Sequence, residues 1–144
     1  MKTLARNKRA QFDFDITDTL EAGLVLLGSE VKSIKLGHVS LKGSYVRLVD
    51  GEPMLTNAHV SPYKPAHIQH DPLRDRKLLL HKNEIQRIVT ARQNGRHILP
   101  IKIGIKRGLV KLEIGIGTSR KKHDKRNLLK RRDAQRDIER ELKH

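Results

Sequence analysis

The side chains with the most chemistry to offer in this chain are cations. Residues 118–144 open with Arg120-Lys121-Lys122-His123-Asp124-Lys125-Arg126 and continue through Lys130-Arg131-Arg132. Eleven Lys or Arg in that stretch face five Asp or Glu. Ammonium and guanidinium groups at this density hold phosphates, and the lone imidazole among them, His123, can stack on a base plane. The competing reading of the same residues is a solvated charge run at the frayed start of a helix. Near the other end, Asn7-Lys8-Arg9-Ala10 forms a second basic patch. Its two readings are a set of phosphate contacts and a solubilising terminus.

Other reactive types are sparse. Asp13 and Asp15 occupy alternate positions and so share one face of an extended strand, but no nucleophile, phosphate loop or nucleotide fingerprint accompanies them. His67-x-x-His70 beside Asp71 has no fourth ligand at a recognised spacing, and the chain has no cysteine. A pair of loop histidines is the better reading, so no metal or other cofactor is expected. Glu21, within Leu20-Glu21-Ala22-Gly23, is expected inside an apolar strand, where a carboxylate needs a partner. That partner is either a base edge or ribose, or a Lys or Arg of the chain itself. Together these residues point to binding and not to catalysis.

The chain has 144 residues, a formal net charge of +15 and 3% aromatic residues. That length carries one domain with a modest core. The charge concentrates at the two ends, for Met1 to Gln11 holds Lys2, Arg6, Lys8 and Arg9 with no acid. Such a balance predicts attraction to polyanions: DNA, RNA or an anionic membrane surface. With so few aromatics, stacking platforms for splayed bases are scarce, which favours a folded nucleic acid read through backbone and shape. No run approaches the roughly 18 apolar residues of a membrane span, and no signal-peptide core is present, so a cytoplasmic protein is expected.

The elements that must position these groups read as follows. Phe12 to Ile16 alternates loosely, and Leu24-Val25-Leu26-Leu27 resembles a buried strand. A short helix is expected from about Glu30 to Leu36, capped by Ser29 and ended by Gly37. Leu41 to Val49 and Met54 to Val60 flank the hairpin signal Asp50-Gly51. Leu78-Leu79-Leu80 precedes a second helix, capped by Asn83 and ended by Gly95. His97 to Ile105 and Leu109 to Ile116 alternate about Lys106-Arg107-Gly108, with Leu99, Ile101, Ile103 and Ile105 facing Val110, Leu112, Ile114 and Ile116 in one core. In the tail, Ala134, Ile138 and Leu142 fall four apart, as do Arg132, Arg136 and Arg140. That spacing predicts a helix whose apolar stripe is too thin to hold it alone in water. The sum is a mainly β chain with short helices: a small antiparallel β-barrel at 1–117 and a basic tail at 118–144, disordered when free and helical when bound.

Taken in order, Asn7-Lys8-Arg9-Ala10, Glu21-Ala22-Gly23, Gly28-Ser29-Glu30-Val31-Lys32-Ser33, Asp71-Pro72-Leu73-Arg74, Arg76-Lys77-Leu78-Leu79-Leu80 and Lys122-His123-Asp124-Lys125-Arg126 resemble the SsrA-binding (small protein B) family. These motifs span nearly the whole chain. The resemblance implies an oligonucleotide-binding-type barrel that binds the tRNA-like domain of transfer-messenger RNA during rescue of stalled ribosomes by trans-translation. It places Asn7, Lys8, Arg9, Glu21, Lys32, Lys77, Leu79 and His81 on the RNA-binding face. It lays the tail in the vacant messenger channel of the small subunit, with His123 stacked in the decoding centre. Lys121, Lys122, Asp124, Lys125, Arg126, Arg131 and Arg132 complete that ribosome-binding set. Alanyl-charged transfer-messenger RNA with elongation factor Tu is an implied partner, a membrane is not, and the protein is expected to be a monomer. One departure concerns the hinge: Thr118-Ser119-Arg120-Lys121-Lys122 lacks the family's glycine, which stiffens the junction or moves it back to Gly115 or Gly117. Two other classes remain open: a ribosome- or nucleoid-associated structural protein, and a small nuclease acting through Asp13, Asp15 and Glu21.

Overall fold

The structure is a computed structural model in which residues 1–120, 126, 128–133, 135 and 136 are described. In chain order the elements are β1 (Lys2–Arg6), α1 (Lys8–Asp13), β2 (Phe14–Leu24), α2 (Gly28–Lys35), β3 (Val39–Ser40), β4 (Tyr45–Val49), β5 (Glu52–Thr56), β6 (His59–Val60), β7 (Arg76–Leu79), α3 (Lys82–Gln93), β8 (His97–Lys106) and β9 (Leu109–Ser119). Beyond β9, the described residues 126, 128–133, 135 and 136 are helical as well. Among the described residues no helix is long and apolar enough to cross a membrane.

Seven strands form one antiparallel sheet in the order β1-β8-β9-β2-β7-β5-β4, and β3 pairs with β6 beside it. The sheet curls until β4 lies against β8, yet it does not close into the barrel expected from the strand count. The reason is the occupancy of edges. β8 already bonds to β1 on one side and β9 on the other, so it has no free edge for β4. The architecture is therefore an open, curled, mainly β sheet with short helices.

The β9 arm of the long hairpin follows its alternation. Val110, Leu112, Ile114 and Ile116 of β9 are all buried, and Asp50-Gly51 and Arg107-Gly108 both have positive φ, as type I′ turns require. On β8 the register shifts between Pro100 and Lys102. That bulge reverses the alternation, so Ile98, Ile101 and Ile103 are buried while Leu99 and Ile105 are half-buried. One cluster gathers Ile98, Ile103, Val110, Leu112, Ile114 and Ile116 with Leu20, Ala22, Ile34, Leu55, Leu78 and Ile88, and Leu99, Ile101 and Ile105 lie outside it.

Several local expectations are corrected. The N-terminus forms β1, which pairs with β8, and then a helical turn capped by Asn7, so β2 begins at Phe14 and not at Phe12. The apolar run after Leu24 is no strand, because the β7 ladder ends at Leu24↔Leu78, and Val25 and Leu27 lie 46% and 45% exposed. Helix α2 starts two residues early, and Ser29 lies within it. Its start is held by Glu30 Oε1, which accepts from the N–H of Leu27. Helix α3 likewise starts at Lys82, where Glu84 accepts from the N–H of His81 and Asn83 bonds within the first turn. Gly37 and Gly95, both with positive φ, end the two helices as expected. Gly115 and Gly117 lie inside β9, and a Cβ on Gly117 would stand 2.2 Å from the carbonyl oxygen of Asp15. That glycine is there for close strand packing.

Candidate nucleic-acid interface

The pleat of β2 decides which of its residues face out. Leu20 and Ala22 are buried, so Glu21 and Gly23 turn to the opposite surface. In register across the sheet, Gly23 stands between Leu79 of β7 and Lys111 of β9. Lys77 alternates with the buried Arg76 and Leu78 and emerges on the same surface as Leu79. His81 follows at the cap of α3. The result is a groove of about 590 Å³ whose lining includes Glu21, Lys77, Leu79, His81 and Lys111. Four residues scattered from 21 to 81 in the sequence are thereby brought onto one surface.

The groove carries mixed charge. Glu21 is outward and solvated, not inside an apolar strand, and Lys106 Nζ approaches its carboxylate at 3.3 Å. With the two side chains 39% and 47% exposed, such a pair contributes at most about 1 kcal/mol. The carboxylate thus keeps acceptor capacity for a ligand. Lys77 Nζ lies 3.2 Å from Glu52, also in solvent. Leu79 is 53% exposed.

The N-terminal patch lies elsewhere, at the β1 edge. Lys8 and Arg9 project from α1 into solvent, beside an open hollow of about 340 Å³ that Ser40 and Lys42 also line. Arg9 Nε is 3.4 Å from Asp13, one helical turn on. Asn7 differs from its neighbours. It is buried, its side-chain amide donates to Pro100 O at 3.0 Å, and its Oδ1 accepts from the N–H of Ala10 at 3.3 Å. Its side chain is a helix cap tied to β8. Lys32 is exposed on α2, next to Val31, which lines a hollow adjoining the groove.

The start of the tail is anchored. Ser119 pairs with Phe14, the N–H of Arg120 donates to Asp13 O at 2.9 Å, and Arg120 Nε donates to Phe14 O at 3.2 Å. Arg126, Arg131 and Arg132 are helical and exposed, and the Arg132 guanidinium lies 5.8 Å from the centre of the Phe12 ring. Lys121, Lys122, His123, Asp124 and Lys125 lie outside the described residues.

Two constellations escaped the sequence. Glu30 is completely buried and accepts from Arg76 Nε at 2.6 Å, Arg74 Nη2 at 2.5 Å and the N–H of Leu27 at 2.8 Å. Burial is the largest single influence on its carboxyl and pushes the pKa up. The bonds from Arg74, Leu27 and Arg76, with the Arg76 charge, together outweigh it and hold the pKa below the ordinary value. His70, buried close by, joins Ser29 Oγ at Nδ1 and Val60 O at Nε2. These contacts fix the loop of residues 61–75 onto α2. The second constellation pairs Asp18 with Arg87 of α3, and the hydrogen bond from Arg87 lowers the Asp18 pKa. No local pattern signals either one; only the Glu three residues after a helix cap hints that Glu30 has a role. Among the described residues, no three His, Asp or Glu side chains converge as a metal site.

Comparison with known proteins supplies the context. The family model described as SmpB protein matches residues 4–144. The SsrA-binding protein of Ruminiclostridium cellulolyticum is 46% identical over 145 residues, covering 99% of this chain and 94% of the relative. That of Lysinibacillus sphaericus is 49% identical over 144 residues, covering 99% and 93%. Among solved structures, a chain described under "tmRNA-SmpB: a journey to the center of the bacterial ribosome" matches with a TM-score of 0.66 and 42% identity, over 81% of this chain and 84% of that one.

Proposed function

The chain belongs to the SmpB protein family, and from that membership we propose that it binds the tRNA-like domain of transfer-messenger RNA and brings it to stalled ribosomes for trans-translation. It acts by binding alone, with no catalytic step. The observation that carries this reading is the convergence of Glu21, Lys77, Leu79 and His81 on one groove.

In this reading Lys77 and Lys32 hold phosphates, and Glu21 accepts from a base edge or a ribose hydroxyl. Lys8 and Arg9 contact phosphates at the β1 edge, where Asn7 sets the helical turn that aims them. The open sheet serves as an oligonucleotide-binding-type platform formed by residues 1–117. Residues 118–144 enter the empty messenger channel, with Lys121, Lys122, Lys125, Arg126, Arg131 and Arg132 on phosphates, Asp124 among them and His123 stacked in the decoding centre. Order gained there is offset by charge contacts and counterion release. The complex travels as a monomer of this chain on alanyl-charged transfer-messenger RNA with elongation factor Tu, in the cytoplasm.

The test is a comparison of affinities at matched salt. The chain should bind transfer-messenger RNA at least a hundredfold more tightly than a generic RNA duplex, and it should restore peptide tagging on stalled ribosomes. Equal affinity for both RNAs refutes the reading and favours a bulk nucleic-acid-packing protein.

A further inference from the structure

A second pocket lies beside α3, on the other side of the sheet from the groove. Asp18 alternates with the buried Leu20 and Ala22, so it turns to the core side, away from Glu21. There it faces a hollow of about 290 Å³ that Gln86, Arg87, Thr90, Asn94 and Arg96 also line. Ala91 and Ile116, both buried, supply its apolar floor. Ligand sites start at about 300 Å³, so the space suits one small group. The hydrogen bonds of the Asp18 carboxylate can be counted. Oδ1 accepts from the N–H of Thr19 at 3.0 Å, and Oδ2 accepts from Arg87. A carboxylate has about four lone-pair sites, so one remains on each oxygen. The carboxyl stays ionised, because the hydrogen bond from Arg87 lowers its pKa. Arg96, exposed at the rim, acts on Asp18 through its charge. One anion against two cations leaves the pocket net positive.

Two adjacent acceptors beside a further guanidinium complement one base. Guanine carries two donors side by side, N1–H and N2–H2, with the acceptors O6 and N7 next to them. Adenine and cytosine set an acceptor beside their amino donor, and uracil has a single N–H between two carbonyls. Each of those would turn a lone pair toward Asp18. We propose that this pocket holds one unpaired guanine of an RNA, its N1–H and N2–H2 on Asp18, its O6 and N7 toward Arg96. The surplus positive charge then attracts its phosphate. The base must be unpaired, since a duplex occupies the same N1 and N2 edge. The net charge of +15 favours RNA over a free nucleotide as the source. The pocket shares no lining residue with the groove, so it goes beyond the reading given to that surface and does not depend on it.

Titrating the full chain with guanosine monophosphate, followed by amide NMR shifts, reads the pocket directly. The amides of Thr19, Asn94 and Arg96 should respond to it at about tenfold lower concentration than to adenosine monophosphate, as expected for one bidentate contact. Inosine monophosphate, which lacks the N2 amino group, should fall between them. Asp18→Asn should abolish the preference for guanine. The fold should hold, because the Arg87 and Asp18 side chains are 47% and 43% exposed and their pair is solvated. Asp75→Asn removes another solvated pair, with Arg47, away from the pocket, and it should keep the preference. Footprinting with a dicarbonyl reagent that attacks N1 and N2 of unpaired guanine then finds the source. One guanine, of transfer-messenger RNA or of ribosomal RNA, should be protected by the wild type and reactive with Asp18→Asn. Equal responses to the guanine and adenine nucleotides overturn the guanine site. A guanine preference without Asp18-dependent protection in either RNA overturns RNA as its source. Neither result touches the preference for transfer-messenger RNA over duplex, which tests the proposed function alone.

Discussion

Replacing Glu30 by Gln should destabilise the protein far more than any change at the solvated carboxylate Glu21. The variant keeps the shape but removes the charge that two guanidinium groups share. Arg76 is 1% exposed, and beyond Glu30 its partners are backbone carbonyls such as Ala58 O at 2.6 Å. Breaking a buried pair by removing one partner costs about 3–5 kcal/mol, because the other charge stays buried. At about 2.1 cal/mol/K per residue, a chain of 144 residues has an unfolding entropy near 0.3 kcal/mol/K, so the melting temperature should drop by about 10–17 °C. Circular dichroism melts at pH 7 measure this directly. The pH dependence adds a sign. The folded pKa of Glu30 is depressed, so its stabilisation is fully present above the ordinary value of 4.5 and is lost as pH falls through the folded value. Wild type and variant should therefore converge in stability below that pH. Removing both charges, as Glu30→Gln with Arg76→Met, should recover part of the loss. A loss below about 1 kcal/mol at pH 7, or a gap that widens in acid, would refute the account of this cluster.

Three further outcomes follow from the interface. Asn7→Ala should cost about 1–2 kcal/mol in denaturant unfolding, since it removes the α1 cap and leaves Pro100 O without its donor; a neutral effect would mean the cap contributes nothing. Glu21→Ala should leave the melting temperature within about 3 °C, since its ion pair with Lys106 is solvated, yet weaken RNA binding about tenfold; the reverse pattern would make Glu21 a structural residue. His123→Ala should keep affinity for transfer-messenger RNA while impairing peptide tagging, and normal tagging would remove the stacking role.

Local pattern alone determined a good deal. The alternation of β9 after Arg107-Gly108, the Asp50-Gly51 turn and the helix-ending Gly37 and Gly95 were all legible, because backbone conformation and pleat act over a few residues. The ordered motifs identified the family before any coordinates. The bulge at Pro100–Lys102 was not legible, since it depends on what each strand meets across the ladder. Nor was the open edge of the sheet, which follows from β1 occupying β8. Asn7 read as a surface polar group and is a buried cap; Glu21 read as a strand-interior acid and is solvated; the acid that is buried is Glu30. Each depends on a partner 44 to 93 residues away. Sequence spacing fixes which residues share a strand face, but burial, pairing and the meeting of Glu21 with Leu79 and His81 in one groove come from long-range packing, which no local window contains.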